Sequence, residues 1–235
     1  MDPVTEYRGL SMGQRLVGVL TKPGETFADI MQKPRFWGAL GVLCGVALLS
    51  VVMVLSKLQA FMLLQLDGLP PVSAQEQATM ENMVMTMGAV SGLVGAVVGV
   101  VFMCLVGAVI LKLVNLFTGE RAPFGTFFAV AVFAYVPLVL SALLHSLLRM
   151  ASPAADFPYI TTSLAVLLPK GEMGTNFFLL SQIEPFTIWS LVLLCIGGAV
   201  AMKTGLRAVA LPLFSLWLLF VVGYAFLMPA VTPGM

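Results

Sequence analysis

Five long apolar runs, separated by short polar segments, constrain the fold more than any other feature of this sequence. They cover about residues 36–55, 88–111, 126–148, 186–202 and 209–228, and none of them contains Asp, Glu, Lys or Arg. A helix needs about 20 apolar residues to cross a bilayer. Helices satisfy their own backbone hydrogen bonds, which lipid cannot do. The sequence therefore predicts an all-α, polytopic membrane protein with five transmembrane helices.

Composition agrees with one membrane domain flanked by short segments. Of the 235 residues, 60% are hydrophobic and 10% are charged, whereas soluble domains carry about 25% charged residues. The net charge of +1 gives no reason to expect nucleic acid as a partner. We expect a cytoplasmic amphipathic segment at 1–35, a five-span membrane domain at 36–228 and a short external tail at 229–235. The three cysteines lie in apolar runs and are interpreted as small buried hydrophobic residues: Cys44, Cys104 and Cys195.

The N-terminal segment contains two amphipathic stretches, 11–20 and 22–33. In the second, Phe27, Ile30 and Met31 have the i, i+3, i+4 spacing that puts side chains on one face of a helix. This helix is expected either to lie in the headgroup layer or to pack on the cytoplasmic ends of the spans. Its charged residues are expected to face water: Glu25, Asp29 and Lys33.

A hairpin is predicted where the first two spans leave the membrane. The helical pattern of span one continues to Asp67, where Asp67-Gly68 and Pro70-Pro71 break it. Ser73 and Glu76 then have the spacing of a capping box, which begins a helix. We expect that helix to run without interruption into span two.

The distribution of basic residues predicts the orientation. Cytoplasmic loops of membrane proteins are enriched in Lys and Arg. Nine basic residues fall on one side: Arg8, Arg15, Lys22, Lys33, Arg35, Lys112, Arg121, Lys203 and Arg207. Three fall on the other: Lys57, Arg149 and Lys170. The N-terminus is therefore expected inside and the C-terminus outside.

Glycines of span two and a proline in span three are candidate structural residues. Small residues let membrane helices approach closely, so a helix-packing face is predicted at Gly88, Gly92, Gly95 and Gly99. The alternative is that this face lines a substrate path. Pro137 is expected to kink span three. Candidate path-lining residues are Asn115, Tyr135, Ser141 and Ser190. The short apolar piece at 159–168 is either an external helix or a re-entrant segment.

No catalytic, cofactor-binding or metal site is expected. A charge at mid-bilayer is expensive and usually functional, and the five runs contain none. His145 is the single histidine; it cannot build a zinc site alone and is interpreted as a structural hydrogen-bonding residue. The H-E-x-x-H and G-x-S-x-G motifs of membrane hydrolases are missing from the sequence. An enzyme is the least favoured class.

Three segments resemble the Ypt-interacting-protein (Yip) membrane family in its bacterial branch. The run PFTIWSLVLLCIGGAVAMKTGLRAVALPLFSLWLL, residues 185–219, resembles its last two spans. Thr118-Gly119 with residues 127–137 resembles its third span, and residues 22–27 (KPGETF) resemble its pre-span helix. The resemblance implies an all-helical five-span domain in the bacterial cytoplasmic membrane. In eukaryotic relatives it implies a role in membrane traffic, with Rab-type GTPases and membrane proteins as partners. The resemblance does not include their Asp-Leu-Tyr-Gly-Pro-type motif, so GTPase binding is not expected here.

Two functional hypotheses follow. The first is a non-enzymatic membrane protein that contacts lipids and organises the membrane or binds membrane-protein partners, including copies of itself. The second is a transporter, channel or lipid conduit with a path along spans two and three.

Overall fold

The computed structural model describes residues 9–68, 70, 72–117, 122–170 and 174–231, with the backbone alone for 230 and 231. These residues form helices and connections, with no strand among them. The α-helices are α1 (Met12–Thr21), α2 (Pro23–Gln32), α3 (Trp37–Asp67), α4 (Ala74–Leu116), α5 (Phe124–Ala134), α6 (Val136–Ala151), α7 (Thr175–Ser181), α8 (Pro185–Ala201) and α9 (Leu206–Val231). Two 3-10 helices, Ala154–Tyr159 and Leu164–Leu167, lie between α6 and α7.

The predicted membrane fold is confirmed. Helices α3, α4 and α9 are each long and apolar enough to cross a bilayer, as is the α5–α6 unit over Phe124–Ala151. Helix α8 has 17 residues, about 26 Å at 1.5 Å per residue, and is shorter than a ~30 Å hydrocarbon core. Together with α7, from which it is bent by 51°, it makes a fifth candidate span. The orientation and the domain boundaries stay predictions. Of the expected tail, α9 covers the first three residues, and 232–235 lie outside the described residues.

The predicted hairpin is formed by α3 and α4, which pack along each other. With 31 and 43 residues, they are about 46 Å and 64 Å long, so both extend well beyond a ~30 Å core. Ser73 caps α4: its Oγ accepts from the Glu76 N–H (3.3 Å), and Glu76 Oε2 accepts from the Ser73 N–H (3.0 Å). The capping box expected from the sequence is therefore present.

The two N-terminal helices pack on the ends of the spans. Helix α2 contacts α8 and α5, and α1 contacts α5 and α3. Phe27 and Ile30 are completely buried. A Cβ placed on Gly197 of α8 would lie 2.9 Å from Phe27 Cε1 and 2.5 Å from Val130 Cγ1. Only a glycine leaves room for this approach, so α2 packs directly on the ends of the spans. That these are their cytoplasmic ends stays a prediction.

The expectation that Asp29 faces water is wrong. Asp29 is 3% exposed, and its Oδ2 lies 2.7 Å from Arg15 Nε. Oδ1 accepts from the Leu10 N–H at 3.0 Å, and Arg15 Nη1 donates to the Lys33 carbonyl at 2.9 Å. A buried carboxylate needs such partners. The periodicity of α2 alone could not show them because the cation comes from α1.

Span three is interrupted at Tyr135, two residues before Pro137. The Leu138 N–H donates to the Tyr135 carbonyl (3.0 Å) rather than to that of Ala134. Ser190 Oγ of α8 donates to the Ala134 carbonyl at 2.7 Å. A break within a span is tolerated where a neighbouring group satisfies the freed carbonyl, and Ser190 does so here.

Candidate functional site

A groove of about 390 Å³ lies among α3, α4 and α6 in what we term the hairpin half of the bundle. This half contains the α3–α4 connection, the C-terminal part of α6 and the start of α8. The opposite half, which carries α1 and α2, is termed the N-terminal half. The groove is open along one side, and its wall consists mainly of small and aliphatic residues: Val51, Val54, Gly95, Ala96, Gly99 and Ala142.

The groove exists because α4 and α6 diverge. In the N-terminal half, α4 packs along α5, and a Cβ on Gly107 would lie 3.3 Å from the Ala131 Cβ. Beyond the break at Tyr135, α6 packs on α3 and α8 instead. Tyr135 therefore marks the inner end of the groove, where the two helices part.

The four glycines of the predicted packing face occupy two different environments. A Cβ on Gly88 would lie 3.2 Å from Met62 Sδ, and one on Gly92 would lie 3.3 Å from Val51 Cγ1. A Cβ on Gly95 or Gly99 would meet nothing within 4 Å. The first two glycines thus lie against α3, whereas the other two border the groove.

A cation, Arg149, lies at the other end of the groove. Its Nε is buried and has no hydrogen-bond partner among the described residues. Its guanidinium lies 4.5 Å from the centre of the Phe157 ring, which stacks on Phe61 of α3. Nearby, Lys57 Nζ donates to the Ser152 carbonyl at 3.0 Å. The groove is therefore mainly apolar, with Ser50, His145 and Ser146 among its lining, and it is basic at the end formed by Arg149, which we term its mouth.

His145 also borders the groove and takes part in a hydrogen-bonded network. The Thr162 N–H donates to its Nε2 at 3.0 Å. The neutral ring must then carry its proton on Nδ1, which lies 3.2 Å from Ser141 Oγ. Ser141 in turn donates to Glu184 Oε1 at 2.7 Å. Because the serine hydroxyl donates to a carboxylate and not to the histidine, the order differs from that of a histidine-activated nucleophile.

Glu184 is the acceptor on which this network converges. It is 7% exposed. Oε1 also accepts from Thr162 Oγ1 (3.0 Å), and Oε2 accepts from the N–H (2.9 Å) and Oγ1 (2.7 Å) of Thr187. These bonds join α6, the connection around Thr162 and the first turn of α8. The arrangement ties three segments together and leaves no obvious reaction site.

Sequence reasoning missed the roles of Glu184 and Arg149. Arg149 is included above only as one of the three basic residues on the other side of the membrane, and Glu184 is assigned no role. A signal for Glu184 was available, since a polar residue before Pro185 with Thr187 three positions on has the spacing of a helix N-cap. No local pattern identifies Arg149, because its apolar surroundings come from α3 and α4. The structural interpretation of His145 agrees with its hydrogen bonds.

The candidate path-lining residues do not lie along one channel. Tyr135 borders both the groove and a second cavity of about 160 Å³, and Ser190 borders only the second. Ser141 is buried and bonded to Glu184. Asn115 is buried near the end of α4, in the N-terminal half. The adjoining turn, Thr118 to Arg121, lies outside the described residues.

Comparison with known proteins identifies the family. The model of the Yip1 domain matches residues 17–227. The chain belongs to the Yip1 domain family. The matched region contains α2 to α8, and with them every residue of the groove. This confirms the resemblance noted in the sequence.

A curated relative is also a membrane protein. The membrane protein YknW of Bacillus subtilis (strain 168) is 26% identical over 194 residues, which cover 81% of each chain. No solved structure matches the chain. Family, relative and apolar helices together support an integral membrane protein of the bacterial inner membrane.

Proposed function

We propose that this protein is a non-enzymatic membrane protein that binds partner proteins through the projecting part of its α3–α4 hairpin. The observation that carries the proposal is a pair of exposed methionines one turn apart on the same face of α4, just before the predicted span at Gly88. Met83 and Met87 are 61% and 58% exposed. This surface, defined by those two residues, is termed the methionine surface.

The methionine surface has the chemistry of a protein-binding site. Methionine is unbranched and flexible, and it is over-represented at surfaces that accept different partners. The rest of this helical segment is polar: Gln77 Nε2 donates to Glu81 Oε1 at 3.1 Å, and both residues are exposed. A segment with such residues lies in water rather than in lipid, where exposed apolar side chains mark a contact surface.

The remaining polar groups support a non-enzymatic role. In the described part of the chain the buried carboxylates are Asp29 and Glu184, and both have partners that hold helices together. The conduit hypothesis has less support, because its candidate residues are distributed among separate environments. Partner binding is also what the Yip resemblance implies, and it needs neither a reaction site nor a continuous path.

Site-specific photo-crosslinking in cells tests the proposal. A photoreactive phenylalanine analogue is placed at Met83 of the full chain, and in a matched control at Phe220, which is 56% exposed in α9 and within the predicted fifth span. We expect discrete protein adducts, with a partner or a second copy, from position 83 and none from position 220. The absence of any protein adduct at Met83 would count against partner binding by this surface.

A second measurement uses affinity purification in mild detergent. Met83→Asp combined with Met87→Asp is expected to abolish recovery of a stoichiometric partner or of self-association. Gln77→Asp, on the polar side of the same helix, should leave recovery unchanged. Equal recovery from all three proteins would contradict the proposal.

A further inference from the structure

The groove among α3, α4 and α6 combines features that indicate a ligand. Its lining on α6 extends from Tyr135 to Arg149, about 21 Å at 1.5 Å per residue, whereas on α3 and α4 it covers residues 47–54 and 95–100, about 11 Å and 8 Å. One leaflet of a bilayer contributes about 15 Å of hydrocarbon, half of a ~30 Å core. An acyl chain of one leaflet thus fits along the α6 side of the groove, with α3 and α4 covering about half of its length.

The groove has the size of a small-molecule site. Its volume of about 390 Å³ falls in the range of about 300–1,000 Å³ found for such sites. The open glycines Gly95 and Gly99 leave room for a slender chain, since a Cβ on either would meet nothing within 4 Å.

The charge at the groove mouth favours an anionic headgroup. The Arg149 Nε is buried without a hydrogen-bond partner in the described part of the chain, which is costly for a guanidinium donor. Lys57 lies three residues after Val54 on the same face of α3 and is half-buried. The Nε itself is inaccessible, but Arg149 as a residue is half-buried, so a phosphate would bind its terminal N–H groups, for which phosphate is a strong acceptor.

The neighbouring carboxylates are already engaged. Asp156 pairs with Lys170 at 2.9 Å. Glu184 accepts bonds from Ser141, Thr162 and Thr187. The ion pairs among described residues do not include Arg149. An anion from outside the chain would therefore complete the mouth of the groove.

We propose that this groove binds one anionic phospholipid, with an acyl chain along Gly95 and Gly99 and its phosphate at Arg149. In the predicted orientation the lipid comes from the outer leaflet. The site is separate from the methionine surface, so each proposal can fail without the other.

Native mass spectrometry of the full chain, released from nanodiscs of equal parts phosphatidylglycerol and phosphatidylcholine, tests this site. The wild-type protein is expected to retain one phosphatidylglycerol in preference to phosphatidylcholine. Arg149→Gln should lower that preference about tenfold, the value of one charge-assisted hydrogen bond of about 1.5 kcal/mol. Gly99→Leu should prevent retention of either lipid, because it fills the groove while Arg149 remains.

Gly45→Leu is the matched control. Gly45 lies within α3, does not line the groove, and a Cβ there would also meet nothing within 4 Å. It should retain lipid like the wild type. Each variant counts as folded if it elutes as a single monodisperse species in size-exclusion chromatography. If Arg149→Gln does not, the comparison of lipid retention between Gly99→Leu and Gly45→Leu tests the proposal.

Three outcomes would overturn the proposal. One is equal retention of phosphatidylglycerol by the wild type, Gly99→Leu and Gly45→Leu. Another is displacement of the lipid by inorganic phosphate alone, which would make the site one for a free anion. The third is a protein that stays bound to the wild type but not to Gly99→Leu in the mass spectrum, which would make the occupant of the groove a helix.

Discussion

The glycines of the two halves of the bundle lie in different surroundings. In the N-terminal half, Gly197 and Gly198 allow close packing, since a Cβ on either would lie within 3.0 Å of neighbouring side chains. In the hairpin half, Gly88 and Gly92 lie against α3, whereas Gly95 and Gly99 border an open groove. A glycine motif therefore does not by itself distinguish a helix contact from the wall of a cavity.

The two halves also differ in how their arginines are paired. Arg15 in the N-terminal half is buried and bonded to Asp29, whereas Arg149 in the hairpin half has a buried Nε without a partner among the described residues. Arg15 also borders a cavity, of about 440 Å³, but Asp29 holds it within the protein. The difference between the two halves therefore lies in the partner of the arginine and not in the presence of a cavity.

Loss of the buried ion pair should have the largest effect on stability. Asp29→Ala leaves Arg15 charged and buried, which costs about 3–5 kcal/mol. Glu25→Ala, in the same helix, breaks the exposed pair with Lys22 (3.7 Å) and should cost about 0.5 kcal/mol or less. Unfolding by SDS titration measures both. Similar losses for the two variants would remove the distinction between a buried and an exposed pair.

Alanine at the two types of glycine should give effects of opposite sign. Gly197→Ala forces the new Cβ against Val130 and Phe27 and should cost about 1–3 kcal/mol. Gly95→Ala meets no atom and should be neutral or stabilise by up to about 1 kcal/mol through helix propensity. Unfolding by SDS titration compares the stability of the two variants. Destabilisation by Gly95→Ala would show that the groove is closed in solution.

The smallest effect is expected at the break in span three. Ser190→Ala removes the hydrogen bond to the Ala134 carbonyl and should cost about 1 kcal/mol. Ser91→Ala is the control, because Ser91 Oγ bonds only within its own helix, to Gly88. We expect only Ser190→Ala to shift the midpoint of unfolding in the SDS titration. If both variants behave alike, Ser190 does not support the break.

The sequence was sufficient for the long helices but not for α7, the bend between α7 and α8, or the site. Apolar length, the capping box at Ser73 and the proline at 137 act within one segment, so they can be read locally. The burial of Asp29 depends on Arg15 from another helix, and that of Glu184 depends on hydroxyls from three segments. The groove depends on the divergence of α4 and α6, which is a tertiary property. Local patterns therefore predicted the long helices, whereas the contacts between them had to come from the structure.

Disulfide trapping tests the central contrast most directly. In a background with Cys44, Cys104 and Cys195 replaced by Ala, Gly107→Cys with Ala131→Cys places two Cβ atoms about 3.3 Å apart, close to the ~3.8 Å mean of disulfides. Gly99→Cys with Ala142→Cys spans the groove. Oxidation in native membranes should cross-link the first pair and leave the second as thiols. Efficient cross-linking of the second pair would contradict an open groove between α4 and α6.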